Sequence, residues 1–160
     1  MRITGFIAVH RGGTLTKEKH RLLMKWARIC AEHVLPLLGS NIDRRLVYAL
    51  KTASEWEAGK TPTGAAMKAS LGAHAAARTY TDSAKTAVAR AIGQAVATAH
   101  MAEHSLGSAL YALKAVALSG GSVKKEGKWQ CGQIPAGLKI LVKRALSEKG
   151  KHFRLPKNPL

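Results

Sequence analysis

The chain has 160 residues, with 26 Lys and Arg against 9 Asp and Glu and a formal net charge of +17. That length supports one domain with a core large enough to need no disulfide or metal staple. Alanine supplies much of the 46% apolar content and aromatics only 5%, which favours close-packed helices over sheets. No run reaches the ~18 apolar residues of a membrane span, and the apolar part of MRITGFIAVHRGG is too short for a signal peptide, so a soluble, cytoplasmic protein is expected.

Residues 1–15 read as an N-terminal arm, extended over Ile3–Val9 and ended by Gly12-Gly13. Thr16 is an N-cap type that opens a helix to about Leu38. Leu22, Leu23, Trp26, Ile29, Cys30, His33, Val34 and Leu37 recur in it at helical spacing, with Lys and Arg opposite, and Pro36 tightens its last turn. Asp43 opens a second helix carrying Leu46, Val47, Leu50, Ala53 and Trp56, and Gly59 closes it. Thr61-Pro62 starts a third helix to about Tyr80. Thr81-Asp82-Ser83 caps a fourth, predicted to run unbroken from Ala84 to Leu118. After Gly120-Gly121-Ser122, a fifth helical stretch passes Trp129. Pro135 starts a last helix with Leu138, Leu141, Val142 and Leu146 on one face. The bundle thus spans 16–150, and residues 151–160 form a tail that wraps or frays. Short connections favour antiparallel neighbours, so the fold class is all-α, an antiparallel helical bundle of a single domain with a short extended N-terminal arm.

The long fourth helix holds the pattern of greatest interest. Val88, Ile92, Ala95, Ala99, Ala102, Leu106, Ala109, Leu113 and Val116 draw an apolar seam in steps of four and three. Beside it runs a second line, Gly93, Ala97, His100, His104, Gly107, Tyr111 and Lys114, whose small residues let another helix come close. These polar groups are expected to be buried and hydrogen-bonded together with His74 and Arg78 of the third helix. Imidazole is also the side chain that most often acts as acid, base or ligand.

Catalytic signatures are absent: there is no Walker loop, GxGxxG, HExxH, GxSxG or EF-hand pattern. The paired Glu-x-x-His of di-iron bundles is missing as well. His100 and His104, one turn apart, are the only weak metal candidates. Within a hairpin turning near Asp82, His74 sits roughly 15 Å from His100 along the axis, too far to share an ion. A homodimer is the remaining way to complete such a site; no metal and no cofactor is expected. Cys30 and Cys131, far apart and outside any CxxC, read as reduced thiols. The charge excess is +6 over residues 1–64, +3 over 65–119 and +8 over 120–160, so the last quarter is the most basic. Its cations, Lys139, Lys143 and Arg144 among them, are scattered singly and without interleaved aromatics, which favours an acidic protein partner over nucleic acid.

The run Trp26-Ala-Arg-Ile-Cys-Ala-Glu-His-Val-Leu-Pro-Leu-Leu38, then Asp43-Arg-Arg45 and Trp56, resembles the immunity proteins of bacterial polymorphic toxin systems, the type-five-like immunity domain. The resemblance sharpens in Ala73-His-Ala-Ala-Ala-Arg78, in Gly93-Gln-Ala-Val-Ala-Thr-Ala-His-Met-Ala-Glu-His104 and in Ala109-Leu-Tyr-Ala-Leu-Lys-Ala115. Lys128-Trp-Gln130, Pro135 and Leu141-Val142 close it, so that it covers about residues 15–146. The chain departs from the family at Gln94, where a His is usual, and at Glu103, where an Asp is usual. Family members are also often acidic or near neutral, so the +17 is a property of this member.

The resemblance implies a protein that binds and neutralises a cognate, acidic toxin stoichiometrically and performs no chemistry. Its motif residues are then His74, Arg78, Gln94, His100, Glu103, His104, Tyr111 and Lys114. Lys139, Lys143, Arg144 and Trp129 are the candidates for partner contact. The alternatives are a metal-binding protein or small-molecule enzyme using His74, His100, His104, Tyr111 and Lys114, and nucleic-acid binding through the basic surface. No membrane partner is expected.

Overall fold

Four helices begin where a side-chain oxygen meets a backbone N–H that the helix itself cannot satisfy. Thr16 accepts from the Lys19 N–H and opens α1 (Lys17–His33), and Asp43 accepts from Arg45 and opens α2 (Arg44–Glu57). α3 (Thr63–Ala77) follows Pro62, which fills the cap position without a side-chain bond. Asp82 accepts from Lys85 ahead of α4 (Ser83–Ala97), and α5 (His104–Leu118) follows a turn. Ser122 accepts from Lys125 ahead of α6 (Val123–Gly132), and α7 (Lys139–His152) follows Pro135 and a 3-10 turn over Ala136–Leu138. Pro36 acts as expected: α1 stops at His33 and the chain tightens into a 3-10 turn over Leu35–Leu38.

This computed structural model describes residues 3–155. Among them, seven α-helices pack against one another, no strand forms, and the protein is an all-α bundle, 74% helical. Two alanine-containing helices, α4 and α5, lie at its centre, buried on several faces at once. They make the most extensive contact in the molecule; α3, α2 and α1 pack on α4, while α1, α6 and α7 pack on α5. One apolar cluster joins Met24, Leu46, Val88, Ile92 and Val96 with alanines of α1 to α5. A second gathers Phe6, Leu15, Leu23, Trp26, Leu106, Ile134 and Val142.

The single helix expected from Ala84 to Leu118 is two helices. α4 ends at Ala97, residues 98–103 turn, and α5 folds back against α4. Neither Gly nor Pro marks the break, which comes from tertiary bonding. Thr98 is fully buried, its Oγ1 donates to the Gln94 carbonyl at 3.2 Å, and its own carbonyl bonds His20 Nε2 of α1 at 2.5 Å. Ser105 Oγ, donating to the Ala102 carbonyl at 2.6 Å, satisfies the far side of the turn. The predicted seam is nonetheless buried on both sides of the break, from Val88 to Leu113.

The N-terminal arm is curled where an extended segment was expected. It makes 3-10 turns at Thr4–Phe6 and Val9–Arg11 and a single bridge between Ala8 and Leu15. α7 continues through His152, two residues into the expected tail, and Phe153 and Leu155 pack beside Leu110 and Leu113. Residues 156–160, the rest of that tail, lie outside the described residues. Cys30 is a buried free thiol and Cys131 a half-buried one. No helix among the described residues is long and apolar enough to cross a membrane.

Candidate functional site

Folding α4 back onto α5 turns the expected line along one helix into a stripe across three. His74 of α3 lies flat against the backbone of α4 at Gly93: a Cβ built there would meet Cε1 at 2.6 Å and both ring nitrogens at 2.8 Å. One turn earlier, Arg90 Nη1 donates to His74 Nδ1 at 3.1 Å. Gln94 points to the other side, where its Oε1 accepts from His104 Nδ1 at 2.7 Å, and Gly107 leaves the space that this amide fills. Glycine is required at 93 and 107 for close approach, since both positions are helical.

Both imidazoles of this stripe, His74 and His104, are shifted toward the neutral form. Burial, then the Arg90 guanidinium and His104, push His74 below its ordinary value. Burial, then the Lys149 ammonium of α7 and His100, do the same to His104 against an opposing pull from Glu103. Neutral imidazoles bracketed by cations are hydrogen-bonding and packing groups, and Gln94 serves His104 as an acceptor despite standing where the family resemblance places a His.

Burial of the whole line is corrected. His100 sits on the exposed turn and Arg78, beyond the end of α3, is also exposed. His74, His104, Tyr111 and Lys114 are half-buried. Glu103 is tied elsewhere, its Oε1 accepting from the Ile3 N–H at 2.8 Å. Tyr111 meets Phe153 edge-on with ring centroids 4.9 Å apart, and the Lys114 ammonium lies 5.8 Å from the same ring. His100 and His104 therefore do not share one helical face. Among the described residues, no three His, Cys, Asp or Glu side chains gather as metal ligands would.

A second polar cluster was not anticipated. Glu126 of α6 is buried and receives His33 Nδ1 of α1 at 2.9 Å. Gln130, one turn on, donates to the Ala109 carbonyl at 3.1 Å, and its own carbonyl accepts from Trp26 Nε1 at 3.0 Å. Trp129 stacks on His33 with centroids 3.5 Å apart, which commits one face of that candidate contact residue. Burial, with Glu126 and Cys131 nearby, pushes the Cys30 thiol well up. The only signal in the sequence was the Glu126–Gln130 spacing of four; the partner histidine is 93 residues away.

The family described as Imm-5 like putative immunity protein matches residues 13–137. The chain belongs to this immunity family. No curated protein and no solved structure matches it. The segment shared with the immunity family contains α1 to α6, the stripe and the His33–Glu126 cluster; α7 lies beyond it. On α7, Lys139, Lys143 and Arg144 are exposed, and Ile140 among them is 87% exposed. These exposed cations of this immunity-family member thus lie on the helix that the family match leaves out.

Proposed function

We propose that this chain protects its producer by binding a cognate toxin one to one and covering its working surface, acting in the cytoplasm and without chemistry of its own. The observation that carries the reading is the outer face of α7, where an exposed Ile140 stands among Lys139, Lys143 and Arg144. An apolar anchor rimmed by charge is the usual make-up of a protein-binding patch. The rim selects an acidic partner and speeds its capture. Membership of the immunity family supports a toxin as that partner.

Co-purification of the toxin from the native host, followed by binding assays, tests the proposal. Reversing Lys139, Lys143 and Arg144 to Glu is expected to weaken binding at least about tenfold, and raised salt to weaken the parent chain too. Binding that ignores these charges, or catalytic turnover that vanishes with His104 in a folded variant, would overturn it. A steep salt dependence of binding to arbitrary duplex DNA with no protein partner would point to nucleic acid instead.

A further inference from the structure

The curled arm, the first turns of α1, the α2–α3 connection and the α4–α5 turn enclose a cleft of about 720 Å³. That lies within the range of small-molecule sites, roughly 300–1,000 Å³. Phe6, Leu15 and Ala102 contribute apolar wall. Three cations, Arg11, Lys17 and Arg21, border it, together with His10, His20 and His100. Lys17, His20 and Arg21 follow i, i+3, i+4 spacing and so share one face of α1, beside the partial positive charge of its N-terminus.

Glu103 is the one carboxylate among the described lining residues, and it already accepts from the Ile3 N–H. Arg21 carries the most telling feature. Its Nε is buried and finds no acceptor in the protein, the single such side-chain atom among the described residues. A buried guanidinium donor without a partner is unusual in a folded chain. His20, by contrast, is occupied by the Thr98 carbonyl and by edge-on contact with Trp56, 5.0 Å between centroids, and shapes the wall.

We infer that this cleft binds a phosphate-bearing small molecule, held by the three cations that border it, Arg11, Lys17 and Arg21. A guanidinium presents paired donors that match phosphate oxygens, and an ammonium adds a point charge beside it. An acidic peptide would be drawn by the same charge, but enclosure by four separate segments fits a compact ligand better than a strand laid across a surface. The inference is independent of toxin binding, because the cleft shares no residue with the exposed face of α7.

The test is calorimetric titration of the full chain with pyrophosphate, with ADP and with a tetraglutamate peptide, in phosphate-free buffer. Saturable one-to-one binding of pyrophosphate is expected. Arg21→Met and Lys17→Met should each weaken it at least about tenfold, while Lys143→Met, outside the cleft, changes it less than about twofold. Tighter binding of ADP than pyrophosphate would identify a nucleotide as the source of the phosphate, and equal binding the phosphate groups alone. Should Arg21→Met fail to fold, Arg11→Met on the exposed arm carries the same expectation. Absence of saturation, equal loss from Lys143→Met, or tetraglutamate outcompeting pyrophosphate would each overturn the assignment.

Discussion

Replacing Gly93 by Ala sets two opposing effects against each other within α4. Removing a glycine from a helix interior favours the helix by roughly 1 kcal/mol. Here, however, the new methyl would lie within 2.8 Å of three atoms of the His74 ring, so the whole ring must leave its place. That movement breaks the 3.1 Å bond from Arg90, roughly 0.5–1.5 kcal/mol, and overpacks a helix contact, roughly 1–3 kcal/mol. Ser70 Oγ, bonded to the Gly93 carbonyl at 3.0 Å, resists any widening of the gap between α3 and α4. The net expectation is a destabilisation of about 1–3 kcal/mol, or roughly 3–10 °C in melting temperature for a domain of this size. Gly72 on α3 is the control: an added Cβ there meets only Arg45 at an ordinary 4.0 Å, so Gly72→Ala should stabilise by up to about 1 kcal/mol. Urea unfolding of both variants, and of Gly93→Ala combined with His74→Ala, measures the balance. If Gly93→Ala stabilises as Gly72→Ala does, His74 does not pack on α4 as described.

Acid should weaken the fold. His20, His74 and His104 all sit below the ordinary imidazole value of 6.5, chiefly through burial, so on acidification the unfolded chain takes up protons that the native chain refuses. Stability is then undiminished above that value and falls as the pH drops below it; a melting temperature that stays level from about pH 7.5 to 5 would contradict this. His33→Ala strands the buried Glu126 with a single 3.4 Å bond from Gln130 and should cost about 1–3 kcal/mol, part of it recovered when Glu126→Leu is added. Strict additivity in that double-mutant cycle would show the pair to be uncoupled. His100→Ala removes an exposed side chain and should change stability by less than about 0.5 kcal/mol in thermal denaturation.

Helix starts were legible because a capping residue is a local device. Thr16, Asp43, Asp82 and Ser122 each bond a backbone N–H two or three residues on, within reach of any reading of neighbours. The break after Ala97 was not legible. Alanine favours a continuous helix, and the bond that ties the turn at Thr98 to His20 joins residues 78 apart. His104 was read from its place beside small residues, and His74 and Gln94 from the family resemblance, yet the pairing of Gln94 with His104 depends on that unseen turn. His33 was counted among the apolar positions of α1, and its hydrogen bond with Glu126 emerges only once α6 meets α1. The cationic lining of the cleft was likewise dispersed, with Lys17 and Arg21 on the ordinary polar side of one helix and Arg11 and His100 far off in the chain.

α7 rests chiefly on α5 and on the short turn that precedes it, with only Val142 and Ala145 buried along its length. A helix held on one side by few buried residues opens locally at lower cost than the inner hairpin, so its amide protons should exchange sooner. It is also the element whose outward residues can change from one lineage to the next without disturbing the alanine centre. Substitutions on the outward side of α7 should therefore alter the surface it presents while leaving the scaffold close to its original stability.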